Sequence, residues 1–137
     1  MKNLILFLFL TLISFNVTSK TKDSKDLEII QGHTAKEYFI LETKEINKKK
    51  VYTMLIKTDG VGVKTQAIPF EYYNEILYQT KKWIKLLYKE MKTPAPVCGQ
   101  IVSIELKKQL HLFCFSTLAA KHKKKFQGWY EKLYRGF

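Results

Sequence analysis

His111 and Glu105 are the residues in this chain whose types and spacing come nearest to acid–base chemistry. They face each other across a short Lys107-Lys108 turn, and a histidine beside a carboxylate is the minimum for moving a proton. With neighbouring lysines to hold phosphate, the pair would suit a small secreted hydrolase such as a nuclease. Position 111 alternates with Leu110 and Leu112, however, which assigns it to the opposite face of its strand, in water. Metal chemistry would need clustered ligands. His33, His111 and His122 are widely spaced, and no H-x-x-x-H or C-x-x-C pattern occurs, so neither a metal nor another cofactor is expected. Cys98 and Cys114 sit in no nucleophile motif, and Gly60-Val61-Gly62 is too short for a phosphate loop.

A stronger candidate is the run Lys121-His122-Lys123-Lys124-Lys125-Phe126, followed by Trp129, Tyr130 and Arg135. Lysines interleaved with aromatics can grip a polyanion while rings stack on its bases, or lie among lipid headgroups with the rings at the acyl boundary. The competing assignment buries the rings at helical spacing against a sheet and leaves the lysines solvated. The candidate binding set is therefore Lys121, Lys123, Lys124, Lys125, Trp129, Tyr130 and Arg135.

The charge balance agrees with a basic surface in this half of the chain. Residues 20–80 carry 10 lysines against 9 acids, while residues 81–137 carry 13 Lys or Arg against 3 acids. That asymmetry points to anionic partners: an envelope surface or polymer, an acidic protein, nucleic acid, or peripheral contact with a membrane. Specific phosphate readers favour the arginine fork, whereas Arg135 is the single arginine here.

Residues 1–19 read as a secretory signal peptide. Lys2 provides the positive start, residues 4–15 the apolar run, and Val17-Thr18-Ser19 the small cleavage residues. An apolar run this short does not span a bilayer as a mature helix, and with no Cys directly after it a lipid anchor is not expected. Residues 20–137 then form one exported domain, periplasmic or extracellular, with no transmembrane span. In such a compartment Cys98 and Cys114 are expected to pair. A three-residue turn at 107–109 would set Cys114 opposite Val102 and leave Cys98 out of reach, so a bend at Gly99 is required.

The elements that must position these residues follow from periodicity. Residues 69–91 form the longest amphipathic helix, with Tyr73, Leu77, Thr80, Ile84, Leu87 and Met91 on one stripe and Phe70, Ile76 and Trp83 widening it. Pro69 suits its first position and Pro94 and Pro96 stop it. Ahead of it, strands are predicted at 27–31, 37–43, 51–57 and 61–68, with a polar turn at 47–50 and Asp59-Gly60 closing a hairpin. Residues 20–26 read as a mobile polar start. Strands at 100–106 and 110–115 make a second hairpin. Ser116 or Thr117 caps a last helix that Gly128 would divide. The order ββββ-α-ββ-α predicts an α+β fold: an antiparallel sheet, built from a four-stranded meander and a C-terminal hairpin, packed against the central and C-terminal helices. The 69–91 helix could equally bridge two separate sheets. With no catalytic motif in it, the sequence reads as a binding protein with a basic C-terminal face rather than an enzyme. Docking of a protein along an exposed sheet edge is a further possibility.

Overall fold

The computed structural model describes residues 22–31, 37–58, 62–91 and 98–135, except for the side chain of Tyr134. The signal-peptide assignment, the Asp59-Gly60 turn and the Pro94–Pro96 stop lie outside these residues. Six strands make one antiparallel sheet in the order β4-β3-β2-β1-β5-β6, with β1 at Lys22–Gln31, β2 at Glu37–Ile46, β3 at Lys49–Thr58, β4 at Gly62–Ile68, β5 at Ile101–Leu106 and β6 at Gln109–Cys114. Two helices follow their hairpins, α1 at Phe70–Glu90 and α2 at Ala120–Arg135. The fold is α+β, a meander and a C-terminal hairpin joined in a single sheet rather than two. The join is β1, which pairs with β2 on one side and β5 on the other.

Alternation in the strands decides which face the helices cover. Leu27, Ile29, Phe39, Leu41, Met54, Val102, Ile104 and Phe113 are 0–1% exposed and lie on that face, beneath Ile76, Leu87 and Phe126 of the helices. Thr80 is buried in the same layer and donates its hydroxyl to the carbonyl of Ile76 at 2.8 Å. The predicted stripe holds for Tyr73, Ile76, Leu77, Thr80 and Leu87, whereas Phe70 is 50% exposed. No helix among the described residues is long and apolar enough to cross a membrane.

Three elements depart from the periodicity. β1 starts at Lys22, five residues ahead of its apolar part, because Lys22, Asp23 and Lys25 lie opposite Glu45, Lys44 and Glu42 on β2. Opposite charges across strands stabilise a polar stretch that an apolar count reads as loop. At the other end, neither Ser116 nor Thr117 caps α2. The chain makes a 3-10 turn over Phe115–Thr117, Thr117 donates to the carbonyl of Cys114 at 2.8 Å, and the carbonyl of Ala119 accepts from His122 and Lys123. Finally, α2 runs unbroken through Gly128, held by Phe126, Tyr130 and Leu133, each 1–3% exposed, at a glycine penalty of only about 1 kcal/mol.

Candidate functional site

The helices pack side by side and antiparallel. Glu90 near the end of α1 meets His122 near the start of α2, Trp83 meets Phe126 and Trp129, and Ile76 and Gln79 share a hollow with Lys132 and Leu133. This arrangement brings the basic end of α1 to the basic start of α2, so exposed Lys82 and Lys89 share one end of the helix layer with exposed Lys121, Lys124 and Lys125, while Lys85 turns to the other flank of α1 with Tyr88 and His111. The first turn of α2 holds no acid to offset them. Glu90 is the acid of the region, and its Oε1 lies 2.6 Å from Nδ1 of His122. The imidazole holds the Glu90 carboxyl below the usual carboxylate range.

The predicted basic and aromatic set is therefore divided. Lys121, Lys124 and Lys125 point outward, while Lys123 donates its Nζ to the carbonyl of Ser116 at 2.7 Å and ties down the turn before α2. Tyr130 is 3% exposed and stacks on Phe126, and Trp129 fills the seam against Trp83. Arg135, with Glu131 at 3.9 Å, sits almost four turns from Lys121 at the far end of the helix. The rings serve the core and the lysines face water. This is the arrangement that helical spacing offered as the alternative to a mixed basic and aromatic face.

His111 and Glu105 do not meet. His111 lies opposite Ile104 on the helix-covered face, where its Nδ1 is 2.9 Å from the hydroxyl of Tyr88. Glu105 lies on the other face, 3.2 Å from the Nζ of Lys25, which also holds Glu28 at 3.0 Å. The alternation of His111 with Leu110 and Leu112 was legible, but which side is wet was not: the two leucines are 58–59% exposed and His111 is half-buried.

Cys98 and Cys114 form a disulfide with their Cα atoms 5.6 Å apart. The β5–β6 turn has two residues, Lys107 and Lys108, so Cys114 pairs with Ile101 and not with Val102. A bend at Gly99 and Gln100 brings Cys98 back, fastened by Gly99 N–H donating to Ser116 Oγ at 3.3 Å and Phe115 N–H to the Gln100 carbonyl at 2.8 Å.

On the opposite flank of α1 lies a cleft of about 550 Å³ that sequence reasoning missed. Its floor depends on a register shift between Lys25 and Leu27, a bulge that leaves Asp26 unpaired with β2. Simple alternation would send Asp26 to the open face. The bulge turns it toward the helices, where it accepts hydrogen bonds from Thr43 at 2.6 Å and Ser24 at 3.2 Å, and Thr43 Oγ1 is 3.3 Å from the hydroxyl of Tyr73. Burial pushes the Tyr73 phenol up to about 12, so it stays a neutral hydroxyl. Tyr52 and Phe70 form an aromatic wall with centroids 5.1 Å apart, and Lys22, Lys50 and Lys107 stand around the lining. The chain Asp26–Thr43–Tyr73 can accept and donate hydrogen bonds but offers no activated nucleophile. No hydropathy signal marks it, since Asp26 falls in the stretch read as a polar start.

No known protein family, curated protein or solved structure matches this chain. Among the described residues, no three His, Cys, Asp or Glu side chains gather as a metal site would require.

Proposed function

We propose that this is a small exported protein that binds without catalysis, using the basic end of its helix layer against an anionic envelope surface or polymer. The reading is carried by one observation. Antiparallel packing gathers Lys82 and Lys89 of α1 and Lys121, Lys124 and Lys125 of α2 at one end of the helix layer, all exposed, with Glu90 engaged by His122. Five like charges on rigid helices raise the local positive potential and attract polyanions at low ionic strength. The surplus of lysine over arginine suits diffuse attraction to many charges better than bidentate reading of one group. Export is supported by the leader-like first 19 residues and by the disulfide.

The test compares vesicles with and without phosphatidylglycerol, and a polyphosphate of matched charge, at rising salt. Binding of the anionic probes is expected to fall steeply with salt, and Lys121→Gln/Lys124→Gln/Lys125→Gln is expected to weaken vesicle binding by up to about 1 kcal/mol per lysine with the fold intact. Lys48→Gln/Lys49→Gln/Lys50→Gln removes equal charge at a distant turn and should have the smaller effect. Equal loss in both variants, or no binding by wild type at physiological salt, refutes a site on the helices.

A further inference from the structure

The cleft beside α1 is built from two kinds of surface that seldom coincide by packing alone. One wall is aromatic: Tyr52 contacts both Phe70 and Tyr73, at 5.1 and 4.5 Å between centroids, and Phe70 remains 50% exposed although it opens an amphipathic helix. The floor is a set of hydroxyls and a carboxylate, Ser24, Asp26, Thr43 and Tyr73, joined by hydrogen bonds of 2.6–3.3 Å. Around the lining stand Lys22, Lys50 and Lys107 against the single rim acid Glu45, which lies between Lys22 and Lys50 in the sheet. Past the β5–β6 turn a second hollow of about 440 Å³ continues along α1, with Lys81, Lys85 and Tyr88 on its walls.

We infer that this cleft binds an acidic oligosaccharide, a chain of hydroxylated rings carrying carboxylates. A sugar ring presents apolar C–H faces that pack on the electron-rich faces of Tyr52 and Phe70, and its hydroxyls donate to Asp26 and exchange hydrogen bonds with Thr43 and Tyr73. Its carboxylate meets the rim lysines. The second hollow gives an adjoining unit a place, so the ligand is an oligomer rather than a single ring. A nucleic acid strand fits less well, because its bases could stack on Tyr52 and Phe70 but bring fewer hydroxyls than sugar rings do to the floor of Asp26, Thr43 and Tyr73. The site lies on the opposite flank of α1 from α2 and stands independently of the basic helix end.

The experiment titrates the folded protein with an oligogalacturonate, the same oligomer methyl-esterified to remove its charge, and an oligothymidylate of equal length, read by calorimetry. The oligogalacturonate is expected to bind, and both esterification and Phe70→Ala are expected to weaken it by about tenfold. Lys50→Gln/Lys107→Gln should also weaken it, while Lys121→Gln/Lys124→Gln/Lys125→Gln leaves it unchanged. Phe70 is exposed, so its replacement tests the wall without emptying the core; an unchanged circular-dichroism melt of Phe70→Ala verifies this. Equal affinity for the esterified oligomer, tighter binding of oligothymidylate, wild-type affinity in Phe70→Ala, or no binding of the oligogalacturonate each overturns the inference. Loss in the Lys121 triple variant alone would place the ligand on the helix end and overturn it as well.

Discussion

Asp26 shows how one residue's direction can create a site. On a regular strand its carboxylate would point to the helix-free face with Glu28; the bulge rotates it under α1, where two hydroxyls donate to it. Tyr73 reports on this environment through its titration. Its phenol is raised from 10.0 to about 12 by burial first, so folding favours the neutral form. The stabilisation from this group is whole below pH 10, where the phenol is neutral in both states, and is lost as pH rises from there through about 12. Tyr73→Phe is therefore expected to flatten the alkaline limb of a plot of chemical-denaturation stability against pH. A wild-type slope in the variant would show that the phenol titrates as it does in the unfolded chain.

At the scale of elements, both described hairpins turn on two residues with positive φ, Asn47 and Lys48 at 50° and 62°, Lys107 and Lys108 at 49° and 67°. Such turns match the right-handed twist of the strands and determine register, which is why Cys114 reaches Ile101 and not Val102. Lysine resists this conformation, because its Cβ crowds the backbone at positive φ. Replacing Lys108 by Gly should stabilise the protein by about 0.5–1 kcal/mol, after the extra freedom of glycine in the unfolded chain is set against the relieved strain. Urea denaturation measures the gain, and a loss would mean that the Lys108 side chain holds the turn. The α1 stripe needed no such detail: its core residues repeat at helical spacing, and Leu87 is 2% exposed where the repeat puts it.

For the whole molecule, the disulfide fastens the chain segment after α1 to the end of β6 and to the 3-10 turn that launches α2. Its partners are separated by 16 positions, for which the chain-entropy account gives about 3 kcal/mol. Cys98→Ser/Cys114→Ser should lose about that much stability and release the start of α2 first, seen as faster amide exchange in residues 120–126 than in β1. Uniform exchange across the fold would show that the bond acts on the unfolded state alone. The sheet face without helices is also part of this scale. Ile30, Ile40 and Leu55 line its centre half-buried, while Leu110, Leu112 and Val63 at its sides are 57–59% exposed.

The sequence by itself determined the α+β class, the strand and helix order, the inward stripe of α1, the basic bias of the C-terminal half and the cysteine pairing, because each is written in local periodicity, composition or parity. Only the tertiary structure decided which face of β6 is wet, since alternation defines two sides without saying which one a helix covers. It also decided that Tyr130 belongs to the core while Lys121, Lys124 and Lys125 face water beside the lysines of α1, because that depends on the antiparallel packing of two helices far apart in the chain. The cleft around Asp26 was least legible. It exists because a single extra residue in β1 breaks the two-residue period, and a bulge of that kind is set by pairing with β2 and β5 rather than by anything in the residues 20–26 alone.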